Sequence, residues 1–390
     1  MQEQIEQERK IKSNNTKNTI LSTIKSLSKR WFIDAFTGMA QGLFCTLIAG
    51  TILAQIASWI SLSGTEAGIA VGKYINYVAS IAKMLMGAGI GVGIANQLKA
   101  PKLVMFSSAV AGLAGAFADK IISINLVASF APGNPIGSYI VSLIAIELGM
   151  LICGKTKVDI VIVPLTIMVV SLLSLFIAWP FIKFVDLMSK GIALATAATP
   201  FVMGIIVAVV MGVLLTLPTS SAAMWVAIAT PILTSSSTDA TIIDAMYLAG
   251  GAATVGCACQ MVGFAVQSFR ENKWGGLVAQ GIGTSMLQIP NLMRHPIIIV
   301  PPIIASAIAG PLSTVVFGLR CGAAGGGMGT SGLVGVFDVI SQSQGVVPDW
   351  KIGLGIAICM FVIPVVVCFV VSELFRKFGL IKPEDMKLEL

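Results

Sequence analysis

Two charged side chains inside long apolar stretches are the first candidates for chemistry in this sequence. Glu147 lies within the run SYIVSLIAIELGM and Lys83 within INYVASIAKMLMGAGIG. A charged group at the centre of a bilayer costs roughly 2.5–3.5 kcal/mol on insertion scales, so such residues need a structural or functional reason. We expect the two side chains to form an ion pair at one depth, or Glu147 to bind a solute while Lys83 balances its charge. Alternatively, Lys83 reaches the interface or lines an aqueous cavity alone.

Neutral polar residues on one face of an apolar stretch form a second set of candidates. Gly256, Gln260, Gly263 and Gln267 recur at helical spacing. Small residues let helices approach closely, and side-chain amides hydrogen-bond across the gap between them. Gln260 or Gln267 is therefore expected to contact a hydroxylated solute, and the alternative is that the two amides join helices. The two glycines are expected to serve helix packing.

Two Gly-rich stretches, 275–290 and 321–340, carry hydroxyl groups that could bind a solute. Each glycine destabilises a helix by about 1 kcal/mol relative to alanine. Non-helical backbone within a bilayer persists only where protein or a watery cavity covers it. We therefore predict two re-entrant hairpins, with Thr330 and Ser331 as solute ligands in the second; surface loops are the alternative. The run GGGMGTSG lacks the lysine of a phosphate-binding loop, which argues against nucleotide binding.

Three further residues complete the candidate binding set. The short apolar stretch 220–237 follows the run LPTSS, so Thr219 and Ser220 are predicted at a third helix break near the solute. His295 is the only histidine in the chain. It is a candidate proton or hydroxyl partner because histidine titrates near neutrality, or else an interfacial residue without such a role. A single histidine cannot build a histidine-based metal site, and we expect no metal, no cofactor and no complete catalytic site.

The composition indicates which class of fold holds these residues. Of the 390 residues, 56% are hydrophobic and 11% charged, and the mean hydropathy is +0.92. Soluble domains contain roughly 25% charged residues. A soluble enzyme, a disordered regulator and a coiled coil are excluded, because too few charges exist to cover a water-exposed surface. Long continuous apolar runs also exclude a transmembrane barrel, so the predicted fold class is an all-α polytopic membrane protein.

Ten apolar stretches are predicted to cross the membrane: 36–60, 71–95, 102–119, 135–153, 158–182, 190–216, 220–237, 240–268, 296–318 and 350–375. Basic residues concentrate in the connections 96–102, 154–158 and 269–274 and after residue 375, which places these segments and both termini in the cytoplasm. The net charge of +7 is thus interpreted as topology rather than as nucleic-acid binding. The connection 183–190 fits poorly, because it carries two lysines yet falls outside.

We divide the chain into a cytoplasmic arm (1–33), a transmembrane domain (34–376) and a cytoplasmic tail (377–390). Apolar residues recur at helical spacing over 20–33 with basic residues between them. This pattern predicts an amphipathic helix on the cytoplasmic leaflet, with a solvated leader as the alternative. The seven cysteines have no zinc-binding spacing and are expected to be apolar packing residues in a reduced compartment.

Four motifs resemble those of one membrane-protein family. They are GKTKVDIVIVP (154–164), TVGCACQMVGFAVQSFRENKWGGLVAQGIGTSMLQIPN (254–291), VPPIIASAIAGPLSTVVF (300–317) and MGTSGLVG (328–335). On these motifs the chain resembles the EIIC-type permeases of the bacterial phosphotransferase system, in the branch that includes the perfringolysin O regulator-like proteins. The resemblance implies a plasma-membrane sugar transporter with ten transmembrane helices, re-entrant hairpins and usually a homodimer. It is consistent with Glu147 and the Gly-rich hairpins lying near a solute pocket.

The resemblance also raises the question of a phosphoryl donor. Permeases of this system work with a phosphorylated IIB domain, and no stretch here is long and polar enough to be one. The leading hypothesis is therefore a permease for a sugar or sugar-like solute that works with a separate IIB chain. Two alternatives stay open at this point. One is an ion-gradient-driven transporter with Glu147 as proton carrier, and the other is a membrane solute sensor acting through its N-terminal arm.

Overall fold

The computed structural model describes residues 26–61, 64–123, 133–217, 221–235 and 238–388. Within these ranges the chain forms helices, turns and bends, without a β-strand. The helices are α1 (Ser26–Ser61), α2 (Glu66–Met84), α3 (Met86–Gln97), α4 (Lys102–Ala116), α5 (Ala118–Ile122), α6 (Pro135–Ile152), α7 (Asp159–Ala198), α8 (Pro200–Thr216), α9 (Ser221–Leu233), α10 (Ala240–Gln267), α11 (Phe269–Val278), α12 (Ile289–Arg294), α13 (Pro296–Val316), α14 (Val334–Ser343) and α15 (Asp349–Lys377).

Six of the described helices are long and apolar enough to cross a membrane, namely α1, α6, α7, α10, α13 and α15. The number rises to seven if α2 and α3 form one bent span. Helices α4, α8 and α9 are apolar but shorter. The lengths and composition confirm a multi-pass, all-α membrane protein, while the predicted count of ten crossings stays a prediction.

Helices α1, α3, α4 and α6 pack antiparallel through small residues. A Cβ atom on Gly38 of α1 would lie 2.6 Å from the carbonyl oxygen of Gly93 in α3. A Cβ atom on Gly91 would lie 2.8 Å from the carbonyl carbon of Ser108 in α4. Backbones therefore touch directly at these crossings, which is how membrane helices gain packing energy without a hydrophobic driving force between them.

Helices α8, α10, α13 and α15 form a second group, in which α8 and α10 run parallel. A Cβ atom on Gly212 of α8 would lie 2.7 Å from the carbonyl oxygen of Gly256 in α10. Residues four positions further along each helix project from the same face. The contact between the two glycines therefore brings Thr216 and Gln260 face to face.

The predicted loop at 183–190 is wrong, because these residues lie within α7, a helix of 40 residues. At 1.5 Å per residue α7 is about 60 Å long, roughly twice the hydrocarbon thickness of a bilayer. The lysines that suggested a loop are accommodated on the helix surface. Lys183 Nζ lies 3.2 Å from Asp119 of α5 and 3.8 Å from Asp186, so its charge is paired.

The predicted span 71–95 is not straight, because α2 and α3 meet at Leu85 with a bend of 54°. The glycines of the run MGAGIGVG pack against α1 on one side and α4 on the other, and this packing sets the direction of α3. Residues 1–25 lie outside the described ranges. The amphipathic helix predicted over 20–33 is therefore seen only from residue 26, where it continues into α1, and its place on the membrane surface stays a prediction.

Candidate functional site

Three interruptions of the helices meet at one place in the structure. The first lies between α8 and α9, the second at residues 279–288 between α11 and α12, and the third at residues 317–333 between α13 and α14. Thr330 Oγ1 donates to the carbonyl oxygen of Gly281 over 2.6 Å, and Ser331 Oγ to that of Gly283 over 3.0 Å. The two Gly-rich stretches thus contact each other through the predicted hydroxyl groups.

The start of α9 joins the same cluster. Ser221 Oγ, at the start of α9, donates to the carbonyl oxygen of Gly327 over 2.7 Å. Trp225 Nε1, one turn later, donates to the carbonyl oxygen of Gly322 over 3.0 Å. Both donors are buried, so the loop 317–333 is fixed to α9 by its own backbone. Thr219 and Ser220 lie outside the described residues.

Gln260 lies at the polar centre of this cluster. Its side chain is fully buried, about 10 Å from the end of α10. Thr216 Oγ1 donates to Gln260 Oε1 over 3.2 Å and lies 2.9 Å from Ser285 Oγ at the tip of the second interruption. Gln260 Nε2 is buried and has no hydrogen-bond partner among the described residues. Buried amide donors are rarely left unpaired, and the described protein atoms supply no acceptor for this NH₂ group.

Asp338 shapes the third interruption, and sequence reasoning did not single it out. Its carboxylate is buried. It accepts hydrogen bonds from the backbone N–H groups of Gly325 and Gly322, at 2.8 and 3.0 Å, and from Gln342 Nε2 at 3.2 Å. One signal in the sequence could have identified Asp338. It is an acidic residue one helical turn into α14 that follows a glycine-rich loop, and the N–H groups of such loops often bind an anionic group.

The sequence matches the family model described as Phosphotransferase system, EIIC, over residues 33–388. The chain belongs to this family. Searches of curated proteins and of solved structures returned no match. The chain is thus an EIIC-type membrane component of a phosphotransferase system, which confirms the resemblance to EIIC-type proteins, while the perfringolysin O regulator-like branch stays a prediction.

Glu147 of this EIIC chain lies away from the three interruptions. Its Oε1 accepts from Arg30 Nε over 2.7 Å and from Trp31 Nε1 over 3.2 Å, both on the first turns of α1. The expected pair with Lys83 is wrong, because Lys83 lies in the last turn of α2 with its side chain over Gly50 of α1. Spacing along the chain could not reveal this, since the partner of Glu147 comes from a helix more than 100 residues earlier.

His295 also lies apart from the three interruptions. It follows α12, and its Nε2 lies 3.5 Å from Asp385 Oδ1. Of the predicted solute ligands, the structure therefore brings together Gln260, Thr330 and Ser331. It adds Thr216 and Ser285, which the sequence analysis did not propose. No feature of the sequence alone places these two hydroxyl groups beside Gln260.

The new ion pair of the EIIC chain can be tested by a double-mutant cycle. Both side chains are about one-third exposed, so we expect Arg30→Gln and Glu147→Gln to show a coupling free energy of about 1 kcal/mol. Thermal or denaturant unfolding of the four purified proteins measures it. In the control cycle, Lys83→Gln and Glu147→Gln are expected to be additive. Coupling in the control cycle alone would contradict the assignment.

Proposed function

We propose that this EIIC chain is a permease for a neutral, hydroxyl-rich solute of the sugar class. The solute binds where the three interruptions meet, beside Gln260, Thr216 and Ser285. The observation that carries the proposal is the buried Gln260 Nε2 donor without a protein acceptor. Interrupted helices with free backbone groups are the way in which transporters build solute sites.

The chemistry of the surrounding groups favours a neutral solute. Thr216, Gln260 and Ser285 supply hydroxyl and amide groups, and their described hydrogen-bond partners are uncharged. Thr330 and Ser331 add hydroxyl groups next to the carbonyl oxygens of the second interruption. A sugar offers hydroxyl groups that donate and accept at once, so it can pair with such a set without burying a charge.

We further propose how the permease works in the cell. The termini and residues 269–294, which comprise α11, the second interruption and α12 and are called the α11–α12 hairpin, face the cytoplasm of a bacterium. A separate IIB chain phosphorylates the sugar as it emerges. Alternation between the two faces occurs by movement of the interruptions around the solute. We also propose a homodimer, and the long row of exposed apolar side chains on α7 offers a surface for the second copy.

A thermal-shift screen of the detergent-purified protein tests the proposed site. The panel contains neutral sugars, polyols, sugar acids and anionic metabolites. We expect a neutral sugar to stabilise the protein by about 2.7 kcal/mol at a hundredfold excess over Kd. Gln260→Met removes the free donor at similar volume, and the loss of one hydrogen bond is expected to weaken sugar binding about tenfold.

The matched control is Gln55→Met, which removes a buried amide from α1 outside the cluster. It is expected to retain the wild-type affinity. Stabilisation by charged compounds alone would overturn the assignment of a neutral solute. A sugar shift of equal size in Gln260→Met would overturn the assignment of the site.

A further inference from the structure

The segment 381–388 docks onto the α11–α12 hairpin. Ile381 and Met386 are almost fully buried, in an apolar cluster with Phe264 of α10, Leu292 of α12 and Ile298 of α13. The segment has no regular secondary structure, and Lys382, Pro383, Glu384 and Lys387 are exposed. Two buried side chains thus anchor the segment to the hairpin, and Asp385 between them lies 3.5 Å from His295 Nε2, just after α12.

Side-chain amides of the hairpin bind the backbone of this segment. Asn272 Nδ2 and Gln288 Nε2 donate to the carbonyl oxygen of Met386 over 2.8 and 3.1 Å. Asn291 Nδ2 donates to the carbonyl oxygen of Lys387 over 2.9 Å. The N–H group of Leu388 donates back to Asn272 Oδ1 over 2.8 Å. Asn272 therefore pairs with the segment in the way that a neighbouring strand would.

The same hydrogen-bond network continues from the returning arm of the hairpin to the first arm and to Ser268 at the end of α10. Gln288 Nε2 also donates to Gln280 Oε1 over 2.9 Å, and Gln280 Nε2 donates to Ser268 Oγ over 2.9 Å. Gln280, Gln288 and Ser268 are fully buried. Gln280 immediately precedes Gly281, the residue that accepts the hydrogen bond of Thr330. A continuous set of buried amides thus connects the docked segment with the contact between the two Gly-rich stretches.

The two arms of the hairpin are held in different ways. The first arm is rooted on α15 by the buried pair of Glu271 and Arg376, whose Oε1 and Nη1 atoms lie 2.8 Å apart. Just beyond this root, Lys273 adopts a φ of +52°, a conformation that non-glycine residues rarely take. The returning arm carries Gln288 and Asn291, which bind the 381–388 segment. The 381–388 segment is therefore bound both by Asn272, before the kink at Lys273, and by Gln288 and Asn291, beyond it.

We propose that the 381–388 segment is a latch that keeps the α11–α12 hairpin closed over the polar cluster. Its release allows the hairpin to swing at Lys273 and exposes Ser285. Segments with few buried apolar contacts open at lower free energy than the core, so this segment opens before the helices do. The movement of the hairpin does not depend on the proposed function. The idea that this movement exposes the solute to the phosphoryl donor does rest on it.

The latch is tested by the reactivity of a cysteine placed at the hairpin tip. Ser285 is fully buried, so Ser285→Cys reports on opening of the hairpin. Cys45 and Cys153, the two cysteines that are not buried, are replaced by serine. The five remaining cysteines are buried, and a protein without Ser285→Cys measures their background. The measurement is the rate of modification by a water-soluble maleimide in purified protein.

A matched pair of neighbouring substitutions separates release of the latch from a change in charge. Met386→Glu places a carboxylate in a fully buried apolar position, whereas Lys387→Glu changes an exposed side chain and leaves its backbone carbonyl bound to Asn291. We expect Met386→Glu to speed labelling of Ser285→Cys about tenfold or more. Lys387→Glu is expected to stay within about twofold of the parent.

Asn272→Asp provides a second route to release. It replaces the Nδ2 donor to Met386 with an oxygen and keeps the acceptor for Leu388, and it is expected to speed labelling as well. Size-exclusion chromatography and thermal unfolding show whether Met386→Glu is folded. If it is not, the labelling rate of Asn272→Asp alone tests the latch. Unchanged labelling in folded release variants, or equal acceleration by Lys387→Glu, overturns the latch. Because labelling needs no solute, a failure of sugar binding in the thermal-shift screen would leave this result intact.

Discussion

Replacing Gly256 with valine is expected to abolish solute binding and to destabilise the protein by more than about 3 kcal/mol. A Cβ atom at this position would lie 2.6 Å from the Cα atom of Ala208 in α8 and closer still to its carbonyl oxygen. Backbone atoms cannot move aside as a flexible side chain can, so α8 and α10 must separate. Separation draws Thr216 away from Gln260. Unfolding of the purified variant and a sugar thermal shift measure the two effects.

Gly191→Ala is the matched control for this substitution. Gly191 lies within α7, and an added Cβ atom would meet no heavy atom within 4 Å. Alanine is better than glycine in a helix by roughly 0.5–1 kcal/mol, so this variant is expected to be at least as stable as the parent and to bind the sugar equally. A folded Gly256→Val protein with parental affinity would contradict the close approach of α8 and α10.

Replacing Asp338 with leucine is the second substitution with a large expected effect. The backbone N–H groups of Gly322 and Gly325 would lose their acceptor inside the protein. Each buried unpaired donor costs about 1–3 kcal/mol, so the loop is expected to leave its present conformation. Thr330, which follows in the same loop, would then lose its position against Gly281. We expect a lower unfolding temperature. We also expect the sugar affinity to fall at least tenfold, which corresponds to about 1.4 kcal/mol of binding free energy.

Asp349→Leu controls for the removal of an acidic side chain. Asp349 is exposed in the first turn of α15, outside the Gly-rich loop. Its replacement is expected to change stability by less than about 0.5 kcal/mol and to leave the sugar affinity unaltered. If Asp338→Leu behaved like this control in both assays, the carboxylate would not be what holds the loop.

Local patterns of the sequence predicted much of the fold. The long apolar runs predicted the spans around α1, α6, α10, α13 and α15, because helix formation in a membrane depends on hydropathy over about 20 residues. The glycine content of 275–290 and 321–340 predicted two re-entrant hairpins; the α-helices do break in both stretches, and their re-entry into the membrane stays a prediction. The resemblance of four motifs to EIIC-type permeases led to the correct family.

Charged residues misled the sequence analysis in two places, each time because their partners are distant in the chain. Lys183 suggested a loop, but pairing with Asp119 lets α7 continue through it. Similar depth in the membrane predicts an ion pair of Glu147 with Lys83, whereas in the structure Glu147 pairs with Arg30 of α1. Depth along a helix can be read from the sequence, but the rotation of one helix against another is set by packing.

Composition and short-range spacing predicted a helical membrane protein with glycine-rich breaks, and the resemblance of four motifs indicated the EIIC family. Only the tertiary structure decided that Thr216, Gln260 and Ser285 meet, that Asp338 holds the loop of Thr330, and that segment 381–388 docks on the α11–α12 hairpin. The Thr216–Gln260 contact depends on the close approach of Gly212 and Gly256, and a glycine does not specify its partner. The other contacts join side chains to backbone groups that are distant in the chain or lie across a loop.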